Sequence, residues 1–161
     1  LPIAIAVARI LMGFYFLWAF IDKTFGLGFA TPAERAWVGG GSPTTGFLTN
    51  ATTESPFAGV FSALAGNAPV DWLFMLGLLG VGVSLMLGVG VRIGAIAGTA
   101  MLLLMYLAEF PLTLTGATNP LIDSHITDIS IMAIVFFGVY SQRLSLARTW
   151  RVIVGDKTWL W

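Results

Sequence analysis

His125 and Asp128 stand three residues apart in the otherwise apolar stretch from Leu121 to Tyr140. At that spacing two side chains share a helix face. An imidazole beside a carboxylate can exchange a proton near neutral pH, and ionisable groups inside an apolar span are costly to keep. Three readings are open. The first is a proton-handling or ligand-binding pair, with Glu109 as a third catalytic candidate. The second is a structural pair that locks its helix. The third is a site for a hard divalent ion among His125, Asp123, Asp128 and Glu109, for which no established ligand spacing speaks. Asp22 and Lys23 are brought to the same end by the expected topology and are candidates for substrate contact. Arg9 interrupts the first apolar run and either snorkels to lipid head groups or meets a substrate carbonyl or anion.

Other chemistries are excluded by absence. The chain has no cysteine, which removes disulfide, thiol-nucleophile, iron–sulfur and thiolate-zinc chemistry. A single histidine rules out a bis-histidine haem unless a partner supplies a ligand. Formal net charge is zero and the basic residues form no stripe, so nothing points to nucleic acid. Gly39-Gly40-Gly41-Ser42-Pro43 lacks the spacing and the lysine of a phosphate loop, and no serine or threonine falls in a triad pattern. Asn50-Ala51-Thr52 matches a glycosylation acceptor, a pattern short enough to arise by chance.

Composition defines the scaffold that must hold these groups. Apolar residues make up 57% of the 161 residues and charged residues 10%, against about a quarter charged in soluble domains. The expected fold is all-α: a single integral membrane domain, a four-helix bundle with spans at about 2–21, 70–87, 91–108 and 121–140. Each is near the roughly 20 residues that cross a hydrocarbon core. The first run has no signal-type cleavage site at its end, and since it begins within apolar sequence the natural N-terminus is expected upstream of Leu1. In the first connection Thr31-Pro32-Ala33-Glu34 reads as a capping box, and Ser55-Pro56 opens a second short helix stopped by Gly66, with Phe57, Val60, Phe61 and Leu64 on one face. Asn119-Pro120 reads as the start of the fourth helix, which would put Asp128 about 12 Å along it.

Basic residues set the expected orientation. Arg92, Arg143, Arg148, Arg151 and Lys157 flank one side, against Lys23 and Arg35 on the other, so both termini are expected in the cytoplasm of an inner (plasma) membrane protein. Residues 142–161 alternate basic and apolar groups, as an interfacial tail on anionic lipid does. Gly90, Gly94 and Gly98 form a small-residue ridge for close helix packing, within the chain or in a homo-oligomer. The six tryptophans fall at or beyond span ends and read as interfacial anchors.

Arg9, Gly13, Phe16-Leu17-Trp18, Asp22-Lys23 and the Gly26–Ala30 turn together resemble the start of DoxX/DoxD-type membrane proteins. The stretches Asp71–Gly80 and Asn119–His125 are similar to that family as well, so the resemblance covers nearly the whole chain. It implies a four-span membrane protein linked to respiration or redox chemistry. DoxD-type proteins form the larger membrane part of thiosulfate:quinone oxidoreductase, beside a small partner subunit. On that footing the chain is expected to interact with a lipid quinone, and the rival expectation is a non-catalytic scaffold or small-solute carrier. The resemblance brings no established catalytic set, so the candidate residues rest on their own chemistry.

Overall fold

Three apolar runs form helices close to where hydropathy puts them: α1 (Pro2–Phe25), α3 (Ala68–Leu87) and α4 (Val91–Ala108). Before α3 comes the short α2 (Ala58–Leu64). After α4 come α5 (Ser124–Phe137), which continues as a 3-10 turn to Ser141, and α6 (Ala147–Val154). The computed structural model describes residues 1–161, with only the side chain of Ser141 left out. No strand occurs among the described residues.

Helices α1, α3 and α4 are long and apolar enough to cross a membrane. Their outward faces carry exposed Leu11, Phe14, Leu73, Leu76, Ile96 and Leu104, a surface that suits lipid rather than water. Two glycines in left-handed conformation terminate helices, Gly26 (φ +64°) after α1 and Gly88 (φ +71°) after α3, where a side chain would be strained. Both lie where the sequence breaks its apolar run.

Helix α1 packs against α3 and α5, and α4 packs against α3 and α5. Their shared core includes Met12, Phe16, Met75, Leu78, Val81, Leu85, Leu102, Met132 and Val135, all nearly or fully buried. Small residues set the separations. A Cβ on Gly13 would stand 2.7 Å from the Met86 nitrogen, and one on Gly82 would stand 2.8 Å from the backbone of Leu17, so α1 and α3 touch almost backbone to backbone. Gly94 faces Ser84 of α3, and a Cβ on Gly98 would meet Met132 of α5 at 2.5 Å. That part of the glycine ridge is used inside the chain.

The fourth helix departs from expectation. It starts at Ser124, not near Pro120, because Asn119 folds a local turn by accepting the Leu121 and Ile122 N–H groups at 2.9 Å. Asp123 becomes the cap instead, accepting the Ile126 N–H at 3.1 Å. Asp128 therefore lies about 7 Å past the cap rather than 12 Å. The α-helical part holds 14 residues, about 21 Å, and the 3-10 turn adds about 8 Å.

The first connection is ordered, by contacts the sequence reading did not foresee. The expected capping box at Thr31–Glu34 is absent: residues 33–35 form a single 3-10 turn with no side-chain cap. The Ser55 hydroxyl accepts the Phe57 N–H at 3.1 Å, ahead of α2, and donates to the Leu107 carbonyl at 2.7 Å. Only Phe61 of the expected apolar stripe is buried, in a small second core with Leu48 and Ala108. Phe57 and Val60 stay exposed. Thr52, in the glycosylation-like tripeptide, is buried with its hydroxyl donating to the Leu48 carbonyl at 2.8 Å.

Charge is divided between the two ends of the helices. Asp22, Glu34, Glu54, Asp71, Glu109, Asp123 and Asp128 belong to the end that holds the C-terminus of α1, together with Lys23 and Arg35. The opposite end holds Arg92, Arg143, Arg148, Arg151 and Lys157, with Asp156 as its one acid.

Candidate functional site

At the acidic end the capping of α5 and the chemistry of its histidine are the work of one side chain. Asp123 uses Oδ1 for the cap, while its Oδ2 lies 2.5 Å from His125 Nδ1. A carboxylate only accepts hydrogen bonds, so the imidazole carries its proton on Nδ1 and is left with Nε2 as the exchangeable nitrogen. His125 is buried, and Nε2 has no partner among the described residues. The expected His125–Asp128 pairing is thus replaced by His125–Asp123, two residues apart.

Asp128, half-buried on α5, makes no hydrogen bond to another described residue but lies within electrostatic range of His125 and Asp123. Tyr15 on α1 lies within similar range of Asp128 and Glu109. Asp128 is thus within electrostatic range of His125 on its own helix and of Tyr15 on α1, and Tyr15 is within range of Glu109 at the end of α4. Tyr15 escaped the sequence reading, because an aromatic residue in a hydrophobic helix looks like any lipid-facing side chain. Its one available signal is position, two turns before Asp22 on α1.

The residues expected to contact substrate separate. Asp22 is almost wholly buried and accepts the Phe29 and Ala30 N–H groups at 3.3 and 3.0 Å; it orders the turn after α1. Asp71 does the same for the first connection, accepting from the Thr44 hydroxyl at 2.5 Å and the Ser42 hydroxyl at 2.9 Å. Lys23 is half-buried near the C-terminus of α1 and forms no ion pair among the described residues. No group of three or more metal-ligating side chains occurs among the described residues either, so the divalent-ion reading gains nothing.

Arg9 lies at the other end, and the snorkelling expectation fails there. Its side chain is 0% exposed and donates to four carbonyls. Nη1 reaches Leu85 and Met86, at the C-terminus of α3, and Nη2 reaches Arg143 at 3.2 Å and Leu144 at 2.8 Å. A helix leaves its last four carbonyls without helical partners. In α3 all four are satisfied: Ser84 by the Gly88 and Val89 N–H groups, Leu85 and Met86 by Arg9, and Leu87 by the Leu146 N–H. Arg9 is a clamp between α1, α3 and the segment after α5.

Below Asp128, an apolar groove of about 260 Å³ runs between α4 and α5, lined by Ala95, Ile96, Thr99, Met132, Ala133, Phe136 and Phe137. Met132 is one turn from Asp128. A flat polar head at His125 and Asp128 would thus have a hydrophobic path for a chain attached to it. Comparison with known protein families, curated proteins and solved structures finds no match for this chain.

Proposed function

We propose that the chain is a four-span helical bundle of the inner (plasma) membrane, both termini cytoplasmic, that serves a quinone-linked oxidoreductase. In this reading it is the membrane-embedded subunit of a respiratory or sulfur-linked enzyme resembling thiosulfate:quinone oxidoreductase. Its partners are the bilayer, a lipid quinone and a small subunit. The observation that carries the proposal is the Asp123-anchored His125, with Nε2 free, one turn from an unpaired Asp128 above an apolar groove.

Several features support the disposition. The α5 segment with its 3-10 turn is about as long as a hydrocarbon core of roughly 30 Å. Basic residues gather at the end with both termini, as the positive-inside rule expects of a cytoplasmic face.

Reduction of a quinone to a quinol takes up two electrons and two protons. The chain holds no cysteine or second histidine for an electron carrier, so the electrons come from the donor held with the partner subunit. This chain contributes the protons. His125, once protonated at Nε2 as well as Nδ1, gives its Nε2 proton to one quinone oxygen, is reprotonated through Asp128 and Glu109 and gives a second proton to the other, while the Tyr15 hydroxyl offers a hydrogen bond to that second oxygen. Thiosulfate would meet seven acidic residues at this end, so Lys23, Arg35 or the partner must bind it.

The scaffold or carrier reading rests on a different observation: two carboxylates of the acidic end, Asp22 and Asp71, are fully occupied in ordering loops. Lipid extraction and mass spectrometry of the detergent-purified protein separate the two. Stoichiometric quinone in the wild type, lost in well-folded His125→Ala or Asp128→Asn, supports the quinone site. Absence of quinone from the wild type, with solute flux in liposomes, sinks it in favour of the carrier.

A further inference from the structure

At the basic end a cleft of about 530 Å³ opens between the start of α1 and the first turn of α6. Pro2, Gln142, Arg143, Ser145, Arg148 and Arg151 are among the residues that line it, and no carboxylate does. Three guanidinium groups around one cavity repel each other unless an anion sits between them.

Two of the three have nothing to hold them. The side chains of Arg143 and Arg148 are exposed and make no hydrogen bond or ion pair among the described residues. The third is fixed: Arg151 donates from Nη2 to the Val139 carbonyl at 2.6 Å and lies 4.4 Å from the centre of the Trp161 ring.

The loop between them is built under strain. Leu144 has φ +51°, the one non-glycine residue with positive φ among those described, at a cost of about 1–2 kcal/mol for a side chain of this kind. It persists because Arg9 holds the carbonyls of Arg143 and Leu144, in the two peptide groups that flank Leu144, and the Leu146 N–H bonds the Leu87 carbonyl at 2.8 Å. Strain kept by such contacts clusters at sites that do work. Here it lies between two of the residues that line the cleft, Arg143 and Ser145. The Ser145 hydroxyl, which lines the cleft, accepts the Ala147 N–H at the start of α6 at 3.4 Å.

Planar guanidinium groups are suited to the oxygens of a phosphate. The level of the cleft identifies which phosphate. Pro2 and Tyr140 border it, at the ends of α1 and of the segment after α5, where lipid head groups meet such helices. Helix α6 also turns Val152 and Ile153 outward, 86% and 70% exposed, a face suited to the acyl boundary.

We infer that this cleft is a phosphate site that holds the head group of an anionic phospholipid, gripped by Arg143, Arg148 and Arg151 and positioned by Arg9. The inference needs the chain to lie in a membrane but is independent of any quinone at the other end. Its chemistry is shared with free phosphate, and the test separates the two sources.

The experiment is native mass spectrometry and thermal melting of the full chain in detergent, titrated with phosphatidylglycerol, phosphatidylcholine or inorganic phosphate. Phosphatidylglycerol is expected to form a defined adduct and raise the melting temperature, while phosphatidylcholine at equal concentration does neither. Arg143→Gln/Arg148→Gln should weaken the adduct about tenfold or more, the loss of at least one charge-assisted contact. Because neither side chain is bonded in the fold, the variant should melt like wild type without anionic lipid. Lys157→Gln, a charge removed from the same end but outside the cleft, should keep the adduct. Equal binding of both lipids, or an undiminished adduct in the double variant, overturns the site. Stabilisation by inorganic phosphate matching that by phosphatidylglycerol overturns the lipid assignment.

Discussion

Replacing Arg9 tests the clamp most directly. In Arg9→Met the stem and most of the volume remain, but the Leu85, Met86, Arg143 and Leu144 carbonyls lose their donor. An orphaned buried polar group costs about 1–3 kcal/mol. The four carbonyls lie in two neighbouring pairs that relax together, so a net loss of about 4 kcal/mol is expected rather than the full sum. For a chain of this size each kcal/mol shifts the melting temperature by about 2–4 °C, which gives a fall of about 8–16 °C. Arg9→Lys keeps the charge but lacks the fork that reaches α3 and the 143–144 segment at once, and should recover about half of the loss. The assay is intrinsic tryptophan fluorescence during heating in detergent, with amide exchange followed over 142–147. That segment should exchange faster in both variants, because the strained Leu144 is released. A shift below about 2 °C for Arg9→Met, or slow exchange across that segment, would refute the reasoning.

Three further outcomes follow from other contacts. Asp123→Ala removes the α5 cap and the anchor of His125 together, and should cost about 1 kcal/mol of stability in a thermal melt. Asp123→Asn should retain much of the cap yet free the His125 ring, so stability and histidine NMR shifts should respond differently in the two variants. Gly98→Leu drives a side chain into Met132 and Val81 and should destabilise by about 3 kcal/mol or abolish folding, read as aggregation on size exclusion. Asp71→Ala strips the acceptor from Ser42 and Thr44 and should expose the first connection to limited proteolysis between residues 36 and 46, at a cost of about 1–3 kcal/mol.

The parts of the fold that could be read from the sequence are those set by local signals. Hydropathy and the stops at Gly26 and Gly88 locate α1 and α3 to within a few residues, and the bounds of α4 match those expected. The start of α5 could not be read in this way. Asn119 and Asp123 are both good caps, and the choice between them is tied to His125, a contact the expected helix would not have allowed. Arg9 illustrates a different limit. Its partners are backbone carbonyls, which every residue has, so no residue type 76 or 135 positions away announces the bond. Asp22 and Asp71 carry the charge expected of a site, yet their partners are N–H and hydroxyl groups of nearby loops. Residue type and spacing single out His125 and Asp128 as candidates, whereas Asp123, which anchors His125, stands out in the sequence only as a possible metal ligand.

The Arg9 clamp also sets an order of events during synthesis. Its last partner, the Leu144 carbonyl, lies 135 residues further along the chain. At about 5–20 residues per second, that carbonyl is made roughly 7–27 s after Arg9 itself. Until α3 is made the Arg9 guanidinium has no partner, and until residues 143 and 144 follow it holds only the Leu85 and Met86 carbonyls; an unpaired guanidinium costs up to about 2.5–3.5 kcal/mol within a membrane helix. Helix α1 is therefore a provisional tenant of the membrane, and its residence becomes permanent only when nearly the whole protein has been made. Nascent chains truncated before Arg143 should slip back out of the bilayer more readily than the finished protein.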